Sequence, residues 1–153
     1  MKAMICALAL ILVSATSAMA RPDVNVDDNG VAIRGYDLVA YFIEGSPVEG
    51  SRSHEVVHDG VRYRFASAAN AGAFKADPAR YLPAYGGFCA YGVAMGKKFD
   101  TDPHVWKIVD DRLFFEHDPG TRVVWQRDIP RNVAIADRIW PEISQTPGTS
   151  PGK

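Results

Sequence analysis

The chain is poor in cysteine, nearly neutral in charge, and without the common motifs of catalysis. Its 153 residues include two cysteines, and the formal net charge is −1. A nucleic-acid or membrane-surface partner usually requires a concentrated basic face, so we expect neither. The chain also has no Gly-x-Ser-x-Gly, no phosphate-binding loop and no dinucleotide fingerprint. These absences favour a protein that is not an enzyme.

The first twenty residues are predicted to be a cleavable signal peptide. Lys2 gives a short basic start, residues 5–13 form an apolar run, and Ala18-Met19-Ala20 is an A-x-A cleavage pattern. The apolar run is too short for a membrane anchor, so we expect no stable membrane insertion. Residues 21–143 are then expected to form one exported domain, in a bacterial periplasm, and residues 144–153 a disordered tail rich in Pro, Gly, Ser and Thr.

Export changes the meaning of the cysteines, because Cys6 would leave with the signal peptide. Cys89 then stands alone in an oxidising compartment and has no partner for an intramolecular disulfide. A leftover cysteine of this kind indicates an intermolecular partner, a ligand role or a buried thiol. Its apolar neighbours Phe88, Ala90 and Tyr91 suit a structural thiol, whereas the nearby glycines leave room for a ligand.

Turn and cap signals predict two hairpins and a helix in the middle of the chain. Asp59-Gly60 lies between residues 54–57 and the alternating strand at residues 61–65. Ser67 then stands where a helix N-cap belongs, and Asp77-Pro78 stops the helix. A second hairpin is predicted on either side of Asp110-Asp111.

The longest helix is predicted near the C-terminus. An apolar stripe with helical spacing is formed by Ile129, Val133, Ala136 and Trp140. Pro130 either kinks this segment or starts a second helix within it, and Pro141 is expected to end it. The fold class is therefore α+β: a small antiparallel sheet of hairpins packed by two or three helices, the longest at the C-terminus.

Three segments of the chain together resemble a known small domain. They read DGVRYRFASAANAGAFKADPARY at residues 59–81, GYDLVAYF at residues 35–42 and YGGFCAYG at residues 85–92. The first two resemble the YHS domain, an α+β module often fused to copper-transporting ATPases and other metal-handling proteins. The third is similar to the stand-alone, exported branch of that family. The resemblance implies a role in handling metal ions.

The same resemblance shows a departure from the metal-binding relatives. At the positions where those relatives carry cysteines, this chain has Ala40, Ala66 and Asn70. Alanine and asparagine side chains do not bind soft metals, so the usual metal site of the family is not carried over. Any metal site in this chain must lie elsewhere.

Cys89, Met95 and His104 are the candidate metal ligands that remain. Thiolate, thioether and imidazole are donors that suit copper as Cu(I) or another soft transition metal. His54 and His58 share one face of a predicted strand and are able to share an ion, although a solvated surface is the more usual role for such a pair.

Three hypotheses follow. The first is an exported metal-handling protein that uses Cys89 with Met95 or histidines, and it is the one we favour. The second is a non-catalytic interaction module with a structural buried cysteine and no metal, which receives an unknown protein partner or a small apolar ligand. The third is a thiol enzyme in which Cys89 works with His104 and a nearby aspartate, which requires a lowered pKa of the thiol. The sequence does not predict the oligomeric state.

Overall fold

The computed structural model describes residues 23–146. The predicted signal peptide and residues 147–153 of the predicted tail lie outside these residues. Within the described part of the chain, no helix is both long and apolar enough to cross a membrane.

The described residues form six helices and four strands. In chain order they are α1 (Ala40–Ile43), β1 (Ser51–His58), β2 (Val61–Phe65), α2 (Ala68–Ala76), α3 (Pro78–Tyr81), α4 (Ala90–Ala94), β3 (Trp106–Val109), β4 (Arg112–Phe115), α5 (Pro119–Trp125) and α6 (Ile129–Ile143). Short 3₁₀ turns at Ile33–Gly35, Ala84–Gly87 and Gln126–Asp128 connect some of them. The predicted α+β class is confirmed.

The strands pair as two antiparallel hairpins, β1 with β2 and β3 with β4, which form separate two-stranded sheets among residues 23–146. Asp59 and Gly60 both adopt positive φ, and so do Asp110 and Asp111. Two consecutive residues with positive φ give the turn that matches the right-handed twist of the flanking strands. The turn residues therefore set both hairpins, as the sequence predicted.

Helix α2 begins where the sequence places its cap. The Ser67 side chain accepts a 3.1 Å hydrogen bond from the backbone N–H of Asn70, which satisfies one of the free donors of the first turn. The helix packs its Phe74 ring onto the β1–β2 hairpin, with ring centroids 5.1 Å from Tyr63 and 5.0 Å from Phe65. These contacts form the centre of the first hydrophobic core.

Helix α6 begins as predicted and ends later than predicted. Asp128 caps it by accepting from the N–H of Arg131, and Pro130 lies in its first turn. The helix continues through Pro141 to Ile143 rather than stopping at the proline. A proline this near a helix end removes only one hydrogen bond, and the N–H of Ser144 still reaches the carbonyl of Trp140 at 2.8 Å.

A second hydrophobic core lies between α4, β4 and the two C-terminal helices. It is centred on Trp125 and Phe114, whose ring centroids are 5.4 Å apart, and helix α6 contributes Ala136. A single bridge between Cys89 and Phe115 joins the loop before α4 to strand β4. This bridge places Cys89 beside the residues that follow β4.

Candidate functional site

The three positions at which metal-binding relatives carry cysteines lie together around Asp37. The Asp37 carboxylate is fully buried. Its Oδ2 accepts from the N–H of Ala66 at 2.8 Å and from Nδ2 of Asn70 at 2.7 Å. Its Oδ1 accepts from the N–H groups of Val39 at 2.8 Å and Ala40 at 3.2 Å. Ala40, Ala66 and Asn70 therefore all donate to one buried carboxylate.

This Asp37 cluster joins α1, the end of β2 and α2 through hydrogen bonds. Its donors are backbone and side-chain N–H groups, which satisfy a carboxylate and do not bind a cation. Four donors on one buried carboxylate form a structural link between these elements. The Asp37 cluster therefore contains no ligand that a soft metal ion prefers.

Cys89 lies at the start of α4, and only 1% of it is exposed. Its Sγ accepts from the N–H of Gly92 at 3.4 Å and donates to Oε2 of Glu116 at 3.0 Å. Its backbone N–H donates to the carbonyl of Phe99 at 3.1 Å. The thiol is therefore held in one orientation by groups from both sides.

Glu116 is the partner that sequence reasoning missed. It follows β4 directly, is 1% exposed, and accepts a second hydrogen bond at Oε2 from the N–H of Tyr91 at 3.2 Å. Its other oxygen, Oε1, is fully buried and has no hydrogen-bond partner among residues 23–146. One feature of the sequence could have indicated Glu116. It is a charged residue that immediately follows the apolar run Leu113–Phe115, where a buried strand would otherwise continue.

Burial determines the protonation of this pair. Desolvation raises the pKa of Glu116 to about 7, against the hydrogen bonds from Cys89 and Tyr91 that favour the carboxylate. Desolvation and the nearby Glu116 carboxylate raise the pKa of Cys89 to about 12. At neutral pH Cys89 is therefore a neutral thiol, whereas a thiol nucleophile needs a lowered pKa.

Cys89 also lines a cavity of about 330 Å³ whose wall carries two further soft donors. Met95, which is exposed, and His117 line the same cavity as the thiol. The remaining lining residues are Tyr91, Gly92, Phe99 and Thr121. A cysteine, a methionine and a histidine thus line one cavity.

The His117 ring is oriented so that one nitrogen is available. Its Nδ1 lies 2.8 Å from the carbonyl oxygen of Asp100. A carbonyl only accepts, so Nδ1 must carry the proton, and Nε2 of the neutral ring keeps its lone pair. Metal-binding histidines commonly donate their other N–H to a backbone carbonyl in this way.

His104, the histidine that the sequence grouped with Cys89, lies elsewhere. Its Nε2 is 3.0 Å from the hydroxyl of Tyr36, and the two rings meet edge to face with centroids 5.4 Å apart. It does not line the Cys89 cavity. The structure brings Cys89 and Met95 together, with His117 in place of His104.

The set of donors is small. Within the described range no group of three or more His, Cys, Asp or Glu side chains is arranged to hold a metal ion. The cavity has three soft donors only if the Met95 sulfur is counted together with Cys89 and His117. A thioether is a ligand for Cu(I) and adds little for harder ions.

The β1–β2 hairpin followed by the capped helix α2 defines a small α+β module in the first half of the described chain. Residues 39–85 match the family model of the YHS domain, so the chain carries a YHS domain. Searches of curated proteins and of solved structures return no match to the chain. The matched residues end before Cys89, so the cavity is formed by the part of the chain that follows them.

Proposed function

We propose that this protein binds a soft metal ion, Cu(I) or an ion of similar softness, at Cys89, Met95 and His117. The observation that supports it is that these three side chains line a single cavity. They are the donors that such ions prefer. The presence of a YHS domain, a module often linked to metal handling, agrees with this proposal.

The role we propose is binding, in an exported protein, rather than catalysis. The predicted signal peptide supports export, and the neutral thiol of Cys89 is a poor nucleophile. An ion that binds Cys89 must displace the thiol proton, because the thiolate is the ligand. The affinity should therefore rise with pH over the neutral range.

Glu116 is placed to assist that displacement. Its Oε2 already accepts the hydrogen bond of the thiol at 3.0 Å, so the proton leaves Sγ toward a carboxylate rather than toward hydrocarbon. The Sγ atom then has to turn from Glu116 toward the cavity. Met95 lies exposed on the cavity wall, where a flexible thioether can follow an entering ion.

Cu(I) affinity, measured under reducing conditions by competition with the chromophoric chelator bicinchoninate, tests the proposal. We expect Cys89→Ser to weaken binding by on the order of a hundredfold, and Met95→Leu and His117→Gln by about tenfold each. His104→Gln is the matched control: it removes an imidazole outside the cavity and should leave the affinity unchanged.

Equal affinity of the wild-type protein and Cys89→Ser, or no measurable affinity at all, would overturn the proposal. The second function, a non-catalytic interaction module with a structural thiol, would then be preferred. The observation that favours this alternative is the sealed Cys89–Glu116 contact, in which the thiol already has a hydrogen-bond partner. The alternative function predicts that Cys89→Ser changes the stability of the protein without changing its metal content.

A further inference from the structure

A larger cleft of about 620 Å³ lies apart from the Cys89 cavity and shares none of its lining residues. It is bounded by the N-terminal segment at Val24 and Val26, the tip of the β1–β2 hairpin at His58, and Trp140 of α6. Pockets of a few hundred to about a thousand Å³ are the usual size for small organic ligands. The cleft is therefore large enough for such a ligand.

Backbone hydrogen bonds fix the walls of this cleft. The N–H of Asp23 donates to the carbonyl of Ser144 at 2.9 Å, and the N–H of Asn25 donates to the carbonyl of Gly86 at 2.9 Å. Gly86 has φ +60, and a Cβ there would lie 2.2 Å from the carbonyl oxygen of Asp23. The N-terminal segment is therefore held against both the loop and α6, so the cleft is preformed.

The walls are mainly apolar and aromatic. Val26 is 42% exposed, and Val61 and Leu82 also line the cleft. The Trp140 ring lies 5.8 Å from that of Tyr85, and both side chains line the same space. A flat aromatic ligand is able to pack against these rings and to bury their apolar surface.

Tyr63 supplies one polar group inside the cleft. Only 3% of its surface is exposed, and its hydroxyl makes no hydrogen bond to any of residues 23–146. The hydroxyl is not a fully buried unpaired atom, and Tyr63 is one of the residues that line the cleft. A ligand atom that replaces water at hydrogen-bond distance from this hydroxyl would fix the orientation of the ligand in the cleft.

Each carboxylate of the cleft lies near a basic side chain. The Asp23 carboxylate lies 2.8 Å from Nζ of Lys98, and the Asp59 carboxylate lies 3.6 Å from Nε2 of His58. A ligand with a net charge would have to compete with these pairs. An uncharged ligand does not meet that difficulty.

We infer that this cleft binds a small uncharged aromatic molecule, whose ring system packs against Trp140 and whose single hydrogen-bonding group meets the Tyr63 hydroxyl. This site is independent of the proposed metal site. It gives the protein a second, organic ligand.

N-phenyl-1-naphthylamine is a suitable probe, because it is uncharged, has two aromatic systems and one N–H group, and fluoresces more strongly in an apolar site. We expect saturable binding to the full purified protein. Val26→Arg places a charge on the wall and should abolish binding. Tyr63→Phe keeps the ring and removes only the hydroxyl, so it should weaken binding about tenfold.

Val57→Arg is the matched control, since Val57 is an exposed valine on strand β1, 64% exposed, and lies outside the cleft. It should bind the probe like the wild-type protein. The inference is overturned if the wild-type protein does not bind the probe, if Val57→Arg weakens binding as much as Val26→Arg, or if Tyr63→Phe binds as tightly as the wild type. Cu(I) affinity is measured separately, so the two proposals fail independently.

Discussion

The Sγ atom of Cys89 lies 3.0 Å from Oε2 of Glu116, and each residue is only 1% exposed. The carboxylate disfavours ionisation of the thiol, the hydrogen bond from the thiol favours the carboxylate, and burial disfavours the charged form of both groups. The thiol therefore stays protonated over the neutral range, and the carboxyl group changes its protonation there. Two measurable consequences follow for the metal-free protein.

The first consequence concerns alkylation of Cys89. Its pKa of about 12, against an ordinary value of 9.0, leaves about a thousandfold less thiolate. The higher intrinsic nucleophilicity of such a thiolate offsets part of this loss. We expect iodoacetamide to react with folded protein at least about 50-fold more slowly than with denatured protein at the same pH, measured by mass spectrometry.

The pH dependence of the same reaction provides the check. In the folded protein the alkylation rate should still rise about tenfold per pH unit through the mildly alkaline range, because the pH there is far below the pKa of the Cys89 thiol. A rate that reaches a plateau near neutral pH would show a lowered pKa. That result would favour the thiol enzyme over both binding functions.

The second consequence concerns stability. The pKa of Glu116 is 4.5 when unperturbed and about 7 in the folded protein, mainly because of burial. The folded state therefore holds a proton that the unfolded state has lost, and the stabilisation present at low pH is lost as pH rises toward 7. We expect the free energy of unfolding to fall by about 2 kcal/mol from about pH 5 to about pH 7.5.

Urea unfolding with a chelator present, at both pH values, tests this expectation. Glu116→Gln keeps a carbonyl oxygen for Cys89 and Tyr91 but does not titrate, so its stability should change much less over the same range. Glu142→Gln, at an exposed position of α6, should behave like the wild-type protein. If Glu116→Gln and the wild-type protein lost stability equally, the raised pKa of Glu116 would be wrong.

Those parts of the fold that depend on neighbouring residues were predictable from the sequence. The two hairpins follow from the turn residues Asp59-Gly60 and Asp110-Asp111, whose positive φ values agree with the strand twist. The start of α2 follows from the Ser67 cap. In each case the deciding contact lies within a few residues along the chain.

The residues that form the candidate site were less predictable, because the site depends on a pairing between residues that are distant along the chain. The sequence grouped Cys89 with His104, a histidine that follows it more closely along the chain. The structure pairs Cys89 with Phe115 instead, which carries Glu116 and His117 to the thiol. No periodicity or spacing indicates such a single bridge.

Asp37 offers a test of the hydrogen-bonded cluster that its carboxylate forms with Ala66 and Asn70. In Asp37→Asn an NH₂ group replaces one of the two accepting oxygens, and the N–H of Ala66 and Nδ2 of Asn70 then face a donor. We expect a loss of about 3 kcal/mol in the free energy of unfolding, measured in urea.

Asp59→Asn is the control for this change. Asp59 lies in an exposed turn with φ 49, a conformation that asparagine accepts well. The free energy of unfolding of Asp59→Asn should remain within about 0.5 kcal/mol of the wild-type value. A comparable result for Asp37→Asn would mean that the buried cluster does not hold the three elements together.

Two helical glycines should respond in opposite directions to replacement by alanine. A Cβ at Gly92 in α4 would lie 2.6 Å from Cδ2 of Phe99, which lines the Cys89 cavity. We expect Gly92→Ala to destabilise the protein by about 2 kcal/mol through overpacking. A Cβ at Gly72 in α2 meets no atom within 4 Å, so Gly72→Ala should stabilise by about 0.5–1 kcal/mol. Thermal unfolding of both variants measures the difference, and a shift of the same sign in both would contradict the close approach of Phe99 to α4.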